Sequence, residues 1–282
     1  MQLFLDCLPC LLRQVLEAAR MGSPDEATQG RIMDEAMVTL TRHRHYGSAP
    51  AMAQAMHDIV KRHTGLADPY RDIKDRDMEA ALRLEPYLTR FAEAGPDILQ
   101  SALKVAATGN VMDSALYNDL DIEACIAAEL AKPFACSDLV AFSRELEAAG
   151  TVLIIGDNAG EAVFDKLLAR VLAREHDVFF AVRERPIIND VTAEDALLVG
   201  IDAHACVVST GCAAPGAILD ACSDGFRAQF DRADLVISKG QGNVEALSEA
   251  PRPLYFLLKA KCPKIAHALD VSVGDYVFKA SG

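Results

Sequence analysis

Clustered cations are almost absent from this chain. Apart from the short RHRH at Arg42 to His45, basic residues are scattered, and 28 Lys and Arg stand against 41 Asp and Glu for a formal charge of −13. A polymer of phosphates attracts proteins through clustered cations, so nucleic acid is not expected as a partner. A single small phosphate is a different case, because one divalent ion reverses the local field. Apolar runs of membrane-spanning length are missing too. The apolar N-terminus MQLFLDCLPCLLRQVLEAAR lacks a basic start and carries Asp6, so it fails as a signal peptide. The expectation is a soluble, cytoplasmic protein with no membrane partner.

Other absences narrow the chemistry. Eight cysteines over 282 residues are too thin for a disulfide scaffold, and most read as small core residues. The pair Cys7 and Cys10 in CLPC has no second CxxC to make a zinc ribbon. With Cys262 it forms a possible second metal or thiol site, and plain packing remains an equal alternative. No HxH or HExxH spacing links the histidines of the second half, so surface or capping roles are expected of them and catalysis is not. What is present is half apolar and a quarter charged, a globular composition able to bury a large core without metal or disulfide.

The first 150 residues read as helix after helix. Leu5, Leu8, Leu12, Val15, Leu16 and Ala19 recur at spacings of three and four, which makes one apolar face. Ser23 with Pro24 and Glu26 predicts a capped helix start, Ser48 with Pro50 predicts another, and Gly65 and Gly95 read as stops. No strand-like alternation appears before Gly150. After it the texture changes to short apolar runs at Val152, Val178, Ala205, Asp234 and Leu254, separated by helical segments and closed by DYVFK at Asp275. Runs that are apolar on both faces belong inside a parallel sheet. The fold class is therefore α/β: a mostly parallel, doubly wound sheet in three α/β/α layers over residues 151–282, with an all-helical region over 1–150 packed on it.

In such sheets ligands bind beyond the carboxyl ends of the strands. The first strand is followed by GDNAGE (Gly156 to Glu161), the second by RERPIINDVT, which opens with Arg183, the third by TGCAAPG from Thr210, and the fourth by SKGQGN from Ser238. Collected at one edge, these supply Asp157, Asn158, Glu161, Asn189, Asp190, Thr210, Lys239, Gly240 and Gly242. Each piece has a plain structural reading. Asp157 and Asn158 are good helix caps, Thr192 with Asp195 resembles a capping box, and KGQG suits a turn that needs positive φ. Together they offer hard oxygen donors for Mg²⁺ or Mn²⁺ beside a lysine in a glycine-rich loop suited to phosphate. Metal plus phosphate points to phosphoryl chemistry, with Asp157 or Asp190 as base or nucleophile.

GDNAGE, RPIINDVTAEDALLVGID and DLVISKGQGNVEAL, in this order, resemble the damage-control phosphatases, a metal-dependent family also catalogued as domain of unknown function 89. The likeness extends to TGLADPYRDIKDRDMEAAL at Thr64 and ATGNVMD at Ala107 to Asp113, and the N-terminal CxxC resembles the short microbial branch. The resemblance implies one divalent metal (Mg²⁺, Mn²⁺, Co²⁺ or Ni²⁺) at Asp157, Asn158 and Asp190. It also implies Asn110 and Asp113 close to the site and Lys239 on phosphate. Asp157, Asp190 and Lys239 are then the catalytic candidates, and Asn110, Asp113, Asn189, Arg183, Gly240, Gly242 and Lys239 the substrate contacts. The implied activity is hydrolysis of a small phosphorylated metabolite, a sugar phosphate or a pantetheine-type phosphate, in metabolite damage control. The alternatives are an S-adenosylmethionine-dependent carboxyl methyltransferase and a non-catalytic metabolite- or metal-binding protein. GDNAGE is not the G-x-G-x-x-G of a nucleotide-cofactor turn. No pattern fixes an oligomeric state.

Overall fold

The computed structural model describes residues 1–111 and 122–281. Seven strands form one sheet: β1 (Phe134–Ser137), β2 (Thr151–Ile155), β3 (Asp177–Val182), β4 (Cys206–Ser209), β5 (Leu235–Lys239), β6 (Tyr255–Lys259) and β7 (Tyr276–Ala280). Their order is β1-β7-β6-β5-β2-β3-β4. Strands β2 to β6 run parallel, β7 is antiparallel to β6, and β1 is parallel to β7. From β2 the chain winds outward through β3 to β4, then returns to place β5 on the other side of β2. The carboxyl ends of β2 and β5 therefore flank a topological switch point, where open α/β sheets bind ligands.

The central strands are buried on both faces, which is why they read as unbroken apolar runs. Val152 and Ile154 of β2 point into one core, and Leu153 and Ile155 into the other. The first core is covered by α4 (Arg71–Ala94), α5 (Ile98–Thr108) and α8 (Ala162–Leu172). The second lies under α10 (Asp224–Arg232), α11 (Gln241–Leu247) and α12 (Pro263–Leu269). Helices α1 (Cys7–Gly22), α2 (Glu26–Leu40) and α3 (Ala49–Thr64) enclose a third, smaller core. The remaining described α-helices are α6 (Ile122–Leu130), α7 (Leu139–Leu146) and α9 (Ala193–Leu198). Among the described residues, no helix is long and apolar enough to cross a membrane.

Two sequence expectations need correction here. β1 precedes Gly150, where no strand was expected: it is a four-residue edge strand, half-buried and exposed in alternation, too short to show as a run. The division expected at residue 150 therefore does not separate helical from sheet-forming chain, and α4 and α5 pack directly on the sheet layer. The cap of α2 is Asp25 rather than Ser23. Its carboxylate accepts from Ala27 N (3.3 Å) and Thr28 N (3.0 Å), while the Ser23 hydroxyl accepts only from Asp25 N, at 3.2 Å. Ser48 does cap α3, accepting from Ala51 N at 3.4 Å with Pro50 in the first turn, and Gly65 ends that helix at φ +71°.

The TGLADPYRDIK segment ties the helical layer to the sheet. Lys74 of α4, fully buried, pairs with Asp68 at 3.0 Å and with Asp195 of α9 at 2.6 Å. Asp195 also closes the expected capping box, accepting from Thr192 N at 2.9 Å and donating its own amide to Thr192 Oγ1 at 3.5 Å.

Candidate metal and phosphate site

The turn after β2 is zipped to the loop after β3 by its backbone. Val191 N donates to Asp157 O (2.8 Å), Ala159 N donates to Asn189 O (2.9 Å), and Asn158 and Asp190 form a bridge. This sets the two dyads read in the sequence, Asp157–Asn158 and Asn189–Asp190, side by side. The glycines of the turn make room for neighbours. A Cβ on Gly160 would lie 3.0 Å from Asp77 Cβ of α4, which covers the turn. The N-cap position of α8 is Glu161, which makes no side-chain cap bond, and not Asp157 or Asn158.

Asp157 and Asp190 are both buried. Burial, then the charges of Asp190 and Glu161, hold the Asp157 carboxyl well above the usual carboxylate range, against the opposing pull of Arg183 and Lys261. Asn110, in the single turn that follows α5, reaches the same point: its amino group donates to Glu161 at 3.1 Å and to Asp157 at 3.4 Å.

Two residues expected to contact substrate lie behind this floor instead. Arg183 is 1% exposed: Nε donates to Asp190 at 2.7 Å, and Nη2 donates to Asn243 Oδ1 (3.1 Å) and Gly156 O (3.3 Å). It orients Asp190 from within the protein. Lys239 is 0% exposed and was expected on phosphate. Its ammonium donates to Glu161, Asp165 and Ala106 O, so all three protons are engaged inside the fold. Burial alone would lower this ammonium, and the charges of Asp165 and Glu161 overcome it, holding the group charged above its ordinary value.

The glycines of KGQG serve the same floor. Gly240 has φ +75°, and a Cβ there would collide with the Asp157 carboxylate. Its amide donates to Leu257 O at 3.3 Å and so faces β6 rather than a ligand. Gly242 and Gly216 interlock: a Cβ on Gly242 would strike Pro215 O, and one on Gly216 would strike Gly242 O. Asn243 fixes the junction, donating to Lys239 O (2.7 Å) and Gly156 O (3.1 Å) while accepting from Ala217 N (2.9 Å).

A cavity of about 290 Å³ opens over this floor. Asn110, Asp157, Asn158, Asn189, Asp190 and Gly242 line it. The opposite wall comes from α1 and the start of α3, with Leu11, Gln14, Pro50 and Ala53. Cys7, Cys10 and Cys262 all face this cavity. Burial pushes the Cys7 thiol up, with Glu245, Cys262 and Cys10 adding to the effect. Among the described residues, no three His, Cys, Asp or Glu side chains converge as a metal cage. Thr210 lies away from the cavity, bonded within its own loop to Cys212. Asp113 falls outside the described residues. No histidine lines the cavity, but His57 is buried rather than at the surface, against Tyr70, and burial pulls it down to about 4.

Two cavity residues escaped the sequence reading. Lys261 lines the cavity and lowers Asp157, and it follows β6, the strand beside β5. Extending the strand-end rule to KAKCPK points to it. Glu245 of α11 also lines the cavity, and burial pushes its carboxyl up to about 7. Its position one turn after the KGQG loop was the available signal.

Similarity to known proteins runs along nearly the whole chain. The damage-control phosphatase ARMT1-like domain matches residues 3–277. A damage-control phosphatase of Archaeoglobus fulgidus is 33% identical over 97% of this chain and 97% of its own. One of Pyrococcus horikoshii is 32% identical over 96% of each. An uncharacterized protein of Methanocaldococcus jannaschii is 33% identical over 96% of this chain and 93% of its own. The crystal structure of a DUF89 family protein from Pyrococcus horikoshii superposes with a TM-score of 0.92 at 30% identity, covering 100% of both chains. Matched over 96–97% of its length in sequence and over all of it in fold, the chain belongs to the damage-control phosphatase ARMT1-like family.

Proposed function

We propose that the chain is a divalent-metal-dependent phosphomonoester hydrolase acting on a small phosphorylated metabolite in metabolite damage control. One observation carries this reading: two buried carboxylates, Asp157 and Asp190, stand together at the carboxyl ends of β2 and β3, beside the switch point. Such a pair binds a proton or a cation, and the elevated Asp157 carboxyl marks a charge that calls for compensation. The donor set fits a metal. Asp157, Asn158 and Asp190 present hard oxygens on a preformed backbone, which suits Mg²⁺ or Mn²⁺ and accommodates Co²⁺ or Ni²⁺. When bound, a divalent ion here supplies neutralising charge to the phosphoryl oxygens and polarises phosphorus.

The chain's own residues divide the remaining work. Arg183 holds Asp190, and Lys239 holds Glu161, which in turn holds Asn110. Lys261 supplies the cation for phosphate that Lys239 does not. The organic part of the ester lies against the wall of α1 and α3. A cavity of about 290 Å³ matches a small metabolite, with sugar phosphates and pantetheine-type phosphates as the first classes to screen. The names of the two damage-control phosphatase relatives support the same reading. Nothing in the turn between β2 and α8 favours a nucleotide-cofactor transferase, since Asp77 covers Gly160 and Glu161 is engaged with Lys239.

Hydrolysis of p-nitrophenyl phosphate with Mg²⁺, Mn²⁺, Co²⁺ or Ni²⁺ tests the reading. Activity is expected to vanish on chelation, to return with metal, and to be lost in Asp157→Ala. Full activity after chelation and dialysis overturns it.

A further inference from the structure

The RHRH run of Arg42 to His45, the one cluster of cations in a chain of formal charge −13, has a cavity of its own. It lies between α2 and α3, where His43–His45 form a single helical turn. With the chain before α1 this turn encloses a space of about 470 Å³, lined by Gln2, Leu3 and Leu5 on one side and His43, Arg44 and Tyr46 on the other. Among the described residues, no Asp or Glu lines it. Both of its walls continue into the first cavity. Leu5 belongs to the second cavity and Asp6 to the first; Gly47 belongs to the second, and Ala49 and Pro50 to the first. Consecutive Cα atoms are about 3.8 Å apart, so the two spaces adjoin along two separate segments of chain.

Cations at a helix end commonly serve the helix, by bonding its last carbonyls. That role accounts for His43, whose Nδ1 donates to Leu40 O at 3.1 Å. It does not account for the arginines. Arg42 and Arg44 are exposed, and neither guanidinium has a hydrogen-bond or ion-pair partner among the described residues. Asp6, the acid at the boundary of the two cavities, is already paired with Lys264 at 3.2 Å. A guanidinium without a counter-ion, beside a cavity lined by no carboxylate, selects an anion.

Resting on the phosphatase reading above, we propose that the second cavity binds the far end of the substrate, and that the substrate is a phosphomonoester carrying a second anionic group. The ester phosphate lies in the first cavity. The second anion, a carboxylate or another phosphate, meets Arg44, with Arg42 beside it in the chain. Leu3, Leu5 and Tyr46 line the same space, which suits an uncharged link between the two anions. Among small phosphorylated metabolites, this selects bisphosphates and phosphorylated acids over monophosphates that end in a hydroxyl.

The test gives the metal-loaded full chain three series of alkyl phosphates with matched spacers, ending in a phosphate, a carboxylate or a hydroxyl, and follows release of inorganic phosphate. For at least one anionic series, kcat/KM is expected to exceed that of the hydroxyl series by about tenfold, the worth of one charge-assisted hydrogen bond. Which series gains tells a phosphate from a carboxylate. Arg44→Ala, and Arg42→Ala combined with it, should erase that margin through KM. Turnover of p-nitrophenyl phosphate, which has no second anion, should stay within threefold, with the melting temperature unmoved. Calorimetry supplies a reading without turnover: alkane bisphosphonates, which are not hydrolysed, should bind wild type about tenfold more tightly than hydroxyalkyl phosphonates, and the double variant equally. The absence of any margin in wild type at every spacer overturns the proposal, as does a margin that survives the double variant. So does a loss of p-nitrophenyl phosphate turnover as large as the loss of margin, which would make the arginines supports of the first cavity. Failure of the phosphatase reading itself shows differently, as a wild-type chain that hydrolyses no phosphomonoester, p-nitrophenyl phosphate included, with any of the four metals, and that result removes the substrate assignment with it.

Discussion

The loops GDNAGE and KGQGN leave adjacent parallel strands, flank the same switch point, and pair polar residues with glycines, yet they do opposite things. The first turns its polar side chains toward the cavity: Asp157 and Asn158 line it, and Gly160 gives space to α4 behind the turn. The second turns its lysine inward to Glu161 and Asp165, and its Gly240 gives space to the Asp157 carboxylate. On the proposed reading the first loop presents the charged donors, while the second supports them from behind and lines the cavity through Gln241 and Gly242. A charged residue at a strand end is therefore either a ligand or a pillar, and what separates the two is whether the fold already supplies its counter-charges.

Breaking the pillar should have the largest effect on the fold. Lys239→Met strands Glu161 and Asp165 as buried carboxylates, and losing one partner of a buried ion network costs about 3–5 kcal/mol. Urea denaturation should show that loss. A variant that folds normally and merely binds phosphate more weakly would return Lys239 to the phosphate. Glu245 sharpens the contrast from the helix that follows the same loop. Its carboxyl sits near 7 through burial, above the unfolded value, so the folded chain holds that proton more tightly. The associated stability is complete below about pH 4.5 and is lost as pH rises through about 7. Glu245→Gln should therefore be more stable than wild type at pH 8, by about 2–3 kcal/mol, with the gap closing toward pH 5 in denaturation curves.

Gly240→Ala attacks the contact between the two loops. Positive φ and the collision with Asp157 should cost about 1–3 kcal/mol, and the displaced carboxylate should lower metal affinity in calorimetry. Unchanged metal affinity would uncouple the loops. Lys261→Met should give the smallest change. This exposed lysine should raise KM for p-nitrophenyl phosphate about tenfold, roughly 1.4 kcal/mol, with the melting temperature unmoved.

Much of this arrangement was legible in the sequence. The central strands showed as unbroken apolar runs because burial on both faces demands it, and the Thr192–Asp195 box and the Ser48 cap followed from local spacing. That Asp157, Asn158 and Asp190 come together was legible because strand ends converge in a parallel sheet whatever the details of packing. Edge strand β1 was not legible, since four half-exposed residues carry no periodic signal. The inward course of Lys239 and Arg183 was not legible either. It depends on Glu161 at the N-cap of α8 and Asp165 in its first turn, Asn243 on α11 and a carbonyl of α5, partners that no spacing in the chain brings together. Ile188 shows the same limit: it holds φ +46° beside the Asn189–Asp190 dyad and packs on the core of α1 to α3, a strain that sequence does not announce.

Metal binding at the floor tests the central claim most directly. Calorimetric titration of the chelator-treated chain with Mn²⁺, without substrate, should give one site in wild type and none in Asp157→Asn, which keeps the shape and removes the charge. Undiminished binding of the ion by Asp157→Asn would contradict the account.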